Sequence, residues 1–154
     1  MWDLLVVHEG ELVAALEFKS HVGPSFGNNA NNRVEEALGT ATDVSIAFRE
    51  GSFPRQAAPF LGYLILVEEA RASTKAVRAN SPHFTPRPEF VDASYIDRYG
   101  LLCDKLVRES LFTAAAAIAS PASTATHGEF REIVPGLPLR TFFQHLAARA
   151  AAAA

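Results

Sequence analysis

The stretch WDLLVVHEGELVAALEFK, residues 2–19, decides the fold. Trp2–Val7 is rich in β-formers, Glu9-Gly10 signals a turn, and Leu12–Phe18 is a second apolar run. Two short runs joined by a few residues that include glycine predict a β-hairpin. Leu4, Leu5, Val6 and Val7 put apolar side chains on both faces of the first strand, a pattern expected of a strand covered on both sides. Such a strand calls for a further element before residue 2 or from a partner.

Working outward, the run from Val22 to Asn32 holds two glycines, a proline and four asparagines, and reads as a loop. Asn31 or Asn32 is expected to cap a helix over Arg33–Arg49. Val34, Ala37, Leu38, Ala41, Val44 and Phe48 recur there at helical spacing, and Glu35 and Glu36 suit its positive N-terminal end. Gly51 and Pro54 end it. Phe60–Val67 reads as a buried central strand. Asn80–Pro88, with three prolines, is a loop. Tyr95–Leu111 carries a partial helical stripe. Thr113–Ala119 fits either a helix, by alanine propensity, or a short buried strand. Thr141–Ala154 is expected to be helical, grading into an alanine-rich tail over 144–154. The whole is an α/β fold: a mixed sheet of hairpin, crossover helix and further strands, in one domain over 1–143.

Composition agrees with one folded domain. The chain has 154 residues, 49% hydrophobic and 20% charged. Cys103 is the only cysteine, so no disulfide forms within the chain, and a reducing compartment fits. No run approaches the ~20 apolar residues of a membrane-spanning helix, and the N-terminus lacks a basic leader, so the expected location is the cytoplasm. A net charge of −3 argues mildly against purely electrostatic binding of nucleic acid.

The chemistry lies in the same opening stretch. Alternation puts Glu17 and Lys19 on one strand face, with Phe18 in the opposite layer. Asp3 shares that face only if the numbers of paired residues sum to an even value, so that it lies opposite Glu17 or Ala15. A two-residue loop at Glu9-Gly10 gives an odd sum and turns Asp3 away, so the expectation is a three-residue turn or a bulge at Gly10. Two carboxylates beside a lysine suit metal-assisted phosphodiester hydrolysis, with Asp3 and Glu17 holding Mg²⁺ and Lys19 beside the attacking water.

Asp3 followed by Glu17-Phe18-Lys19 resembles the PD-(D/E)xK nuclease core. The segment ALEFKSHVGPSFGNNANNRVEEALGTATD (15–43) resembles the XhoI-type type II restriction endonucleases, as do AFREGSF (47–53) and RYGLLCDKLVRESLFTAAAAIAS (98–120). The resemblance implies a restriction-endonuclease-like sheet flanked by helices, with Asp3, Glu17 and Lys19 catalytic. It also implies Mg²⁺ as cofactor, double-stranded DNA cut at CTCGAG, a homodimer, and a methyltransferase acting on the same site. Family members carry a substantial segment before the position of Asp3. The same core also serves repair and junction nucleases, and a shortened relative would bind DNA without cutting.

Asn28, Asn29, Asn32 and Arg33 follow the catalytic strand and are candidate DNA contacts, against the plainer reading of loop and cap chemistry. His21, two residues past Lys19, shares its face and is a candidate phosphate contact; a lone histidine is more commonly structural. His8, His83, His127 and His145 lack metal-ligand spacing. Arg78, Arg87 and Arg98 flank the proline-rich loop and offer a local basic path. Cys103 is expected in the core.

Overall fold

A computed structural model describes residues 2–53, 56–79 and 81–154. The hairpin consists of β1 (Leu4–His8) and β2 (Glu11–His21), paired antiparallel. It is followed by α1 (Phe26–Arg49) and β3 (Phe60–Glu68). A single turn α2 (Arg71–Thr74), then α3 (Tyr95–Arg108), β4 (Ala114–Ser120), a short β5 (Arg131–Glu132) and α4 (Leu139–Ala153) complete the chain. The sheet runs in the order β1-β2-β3-β4-β5. Its three central strands are parallel and its two edge pairs antiparallel. This is the mixed sheet with flanking helices that the sequence implies.

Two apolar layers sandwich the sheet. On one face Tyr63, Ile65, Val67 and Ala115, Ala117, Ala119 pack beneath Phe26, Ala37, Ala41, Tyr99, Cys103 and Leu106 of α1 and α3. On the other, Ala14, Leu16, Phe60, Ala114 and Ala116 meet Phe142 of α4. The ambiguous alanine run is therefore a strand. Buried on both faces, it pairs parallel to β3, and its methyl side chains let helices approach closely from either side. Gly62 has the same role: a Cβ there would stand 2.6 Å from Leu16 and 2.7 Å from Phe142. The helix α4 passes without interruption from Phe142 into the alanine-rich segment, with Leu139 and Leu146 also packing on the second layer.

Three local expectations need correction. The long helix begins two turns earlier than its asparagines suggest. Phe26 is 4% exposed and starts an apolar stripe through Ala30, Val34, Ala37 and Ala41, so packing overrides the turn preference of asparagine. Ser25, not Asn31 or Asn32, stands at the N-cap, and Glu35 and Glu36 lie well inside the helix rather than at its positive end. Second, β1 is not covered on both faces: Leu4, Leu5 and Val7 are 45, 53 and 60% exposed. Third, the hairpin turn has two residues, Glu9 and Gly10, both at positive φ (49° and 85°) as in a tight primed turn.

That turn alone would give the odd register. The pairs His8–Glu11 and Val7–Leu12 sum to 19, but Val6–Ala14, Leu5–Ala15 and Leu4–Leu16 sum to 20. Val13 is the extra residue of a bulge in β2, and it restores the even register before Asp3 is reached. Gln56 secures the neighbouring backbone, accepting from the Leu12 N–H at 3.1 Å and donating to its carbonyl at 2.9 Å.

Candidate active site

Beyond Leu4 the ladder continues one residue, the Asp3 N–H donating to the Leu16 carbonyl at 3.2 Å. The Asp3 carboxylate then turns along β2 and its Oδ2 accepts from the Phe18 N–H at 2.8 Å. The same oxygen lies 3.9 Å from Lys19 Nζ, whose other partner is Glu17 Oε1. The bulge thus brings together the three residues expected to do the chemistry. Phe18 points to the opposite face and is 40% exposed.

The two carboxylates differ in setting. The Asp3 side chain is 43% exposed and faces water, whereas Glu17 is 3% exposed. Glu17 Oε2 is buried and has no hydrogen-bond partner among the described residues. A buried carboxylate oxygen left unpaired is unfavourable unless a cation or donor meets it. With Lys19 counted, the trio carries one net negative charge, which favours a further cation. Among the described residues no cluster of three histidine, cysteine or acidic side chains is placed to hold a metal. Asp3 and Glu17 are the two carboxylates that would meet such a cation, Glu17 through its unpaired oxygen and Asp3 from the exposed side.

Tyr63 of β3 is the register partner of Glu17; its hydroxyl is buried without a partner, and burial pushes its pKa well up. A polar tip inside the apolar run Phe60–Val67 was the only sequence sign of it. His21 is 2% exposed. Its Nε2–H donates to the Ser25 carbonyl at 3.4 Å, and its Nδ1 accepts from the Tyr99 hydroxyl. Burial lowers its pKa, with the Ser25 carbonyl opposing and Arg33 reinforcing the shift. The ring thus ties β2 to α3 and to the start of α1, which is the structural role rather than an open phosphate contact. Cys103 is fully buried and its thiol is pushed up to about 12, so it belongs to the core.

The asparagines lie on the first two turns of α1, immediately beyond β2. Asn29 and Asn32 are exposed there, while the Asn28 side chain lies outside the described residues. Arg33 is partly buried and donates to Glu36 at 2.7 Å. Its Nε is buried with no partner.

The family profile described as "Restriction endonuclease XhoI" matches residues 1–132, and so contains every residue of this arrangement. The chain belongs to the XhoI restriction endonuclease family. It is 48% identical over 150 residues to the type II restriction enzyme BstVI of Geobacillus stearothermophilus, covering 94% of this chain and 67% of that protein. It is 50% identical over 135 residues to the type II restriction enzyme XhoI of Xanthomonas vasicola, covering 86% and 54%. A third relative, the type II restriction enzyme AbrI of Azospirillum brasilense, is 60% identical over 84 residues, or 54% of this chain and 38% of that one. The chain thus spans about half to two thirds of the length of the first two XhoI-family relatives. No solved structure matches it. No helix among the described residues is long and apolar enough to cross a membrane.

Proposed function

We propose that this chain carries the catalytic core of a type II restriction endonuclease, hydrolysing double-stranded DNA within a CTCGAG-like palindrome. The observation that carries the reading is the convergence of Asp3, Glu17 and Lys19 on one strand face, with one Glu17 oxygen buried and unpaired. Asp3 and Glu17 are the residues that would hold Mg²⁺, which when bound neutralises charge on the reacting phosphate and makes a bound water more acidic. Asp3, anchored through the Phe18 N–H, presents its carboxylate from the open side of the site. Glu17 presents its free oxygen from the buried side. Lys19, held between the two, donates to the attacking water or to the phosphate oxygen on which charge develops.

Asn29, Asn32 and Arg33 at the start of α1 are proposed DNA contacts, with Asn28 beside them; His21 supports that helix from below. A palindrome is met by two copies of the chain related by a two-fold axis, one per half-site, so the active form is a homodimer. A methyltransferase protecting the same site and a cytoplasmic location complete the proposal. The test is a pair of plasmids, with and without a single CTCGAG, incubated with the purified chain in Mg²⁺ or in EDTA. The expected result is linear product from the first plasmid in Mg²⁺ alone. Cutting of both plasmids alike, or of branched DNA only, would overturn it.

A further inference from the structure

Away from the carboxylates, residues 78–79 and 81–90 and the first turn of α3 enclose an open cavity of about 550 Å³. Arg78, Arg87 and Arg98 line it with Ser81, Phe84 and Phe90, and among the described residues no acidic side chain is in its wall. The three arginines lie 9 to 20 residues apart in sequence, so the fold and not local composition gathers them. In a chain of net charge −3, three guanidinium groups around one concavity make a marked local excess of positive charge.

The arginines are held in different ways. Arg98 donates through Nη2 to the Val77 carbonyl at 2.9 Å and lies over the Tyr95 ring at 5.8 Å. Its Nε is buried and has no partner among the described residues. Arg87 pairs with Glu89 at 3.0 Å; Lys105, 3.5 Å from the same carboxylate oxygen, keeps that end of the wall from becoming acidic. Phe84, in the same wall, stands 79% exposed, a large ring with no packing reason to face water. Guanidinium groups beside an exposed aromatic ring are what a nucleic-acid backbone and its sugars fit, because arginine forks match phosphate oxygens.

We infer that this cavity grips the phosphate backbone of the DNA at a point separate from the cleavage site, with Phe84 packed on the sugar of the gripped nucleotide. The inference rests on the nuclease reading. A chain of contacts links the two sites: Arg98 adjoins Tyr99, and Tyr99 holds His21, two residues beyond Lys19 on β2.

The test is binding of a fluorescent CTCGAG duplex in EDTA, which prevents cutting, from 50 to 200 mM salt. Each phosphate contact contributes about 0.9 to the slope of log K against log salt. Arg78→Gln with Arg87→Gln is expected to lower the slope by about two, and either change alone by about one. Phe84→Ala is expected to weaken binding by the same factor at every salt concentration, with the slope unchanged. All three side chains are exposed, and thermal unfolding confirms that each variant folds. Wild-type slopes in both arginine variants would overturn the inference and leave the nuclease reading intact. Absence of duplex binding by the wild-type chain would overturn both.

Discussion

Replacing Lys19 with methionine isolates what holds Glu17 in place. Methionine keeps the length of the side chain and removes its charge. Glu17 is 3% exposed and Lys19 is its ion-pair partner, so the variant leaves a buried carboxylate unpaired at pH 8. Breaking a buried pair this way destabilises by about 3–5 kcal/mol. The Lys19 side chain is 16% exposed, which lets water in where the ammonium was, so the lower end, about 3 kcal/mol, is expected. For a chain of this size that is a fall of roughly 6–12 °C in Tm. Mg²⁺ offers Glu17 another positive partner, so it is expected to raise the variant's Tm more than the wild type's. The assay is circular-dichroism melting at pH 8, with and without Mg²⁺. A Tm at pH 8 within about 2 °C of wild type, set against the loss expected from the broken pair, would refute the reasoning.

Two further predictions concern the frame around the site. Phe142 is 2% exposed beneath β4 and Gly62, so Phe142→Ala is expected to cost about 3–5 kcal/mol in urea unfolding; a loss under about 1 kcal/mol would show that α4 is not docked there. Burial holds the His21 pKa below its ordinary 6.5, so under that pH the unfolded chain binds a proton the folded chain refuses, and stability falls as acid is added. His21→Gln is expected to melt with less dependence on pH between 7.5 and 5.5, and a wild-type pH profile in that variant would contradict the assignment.

The parts of this molecule that strict patterning controls were legible in the residues. The hairpin, the central strand Phe60–Val67 and the sharing of one face by Glu17 and Lys19 follow from runs and alternation that local chemistry enforces. The start of α1 was hidden because four asparagines favour turns, while the stripe that overrides them depends on the partner surface offered by α3 and the sheet. Strand β4 was ambiguous because alanine suits a helix by propensity and a crowded sheet by size. The bulge was the deepest concealment. Leu12-Val13-Ala14-Ala15 is apolar at every position, so no polar residue marks where the alternation skips a step, yet that step decides whether Asp3 faces Lys19. Of Arg78, Arg87 and Arg98, sequence offered a basic path beside the proline-rich loop but not the cavity that folding closes around them.

The measurement that bears most directly on the account is cleavage of a CTCGAG plasmid in Mg²⁺ by the wild-type chain and by Glu17→Gln, with duplex binding followed in parallel. Glutamine keeps the shape of the side chain and removes the charge that would hold the metal. The account predicts linear DNA from the wild type, none from the variant, and duplex binding by both. Equal cutting by the two proteins would contradict it.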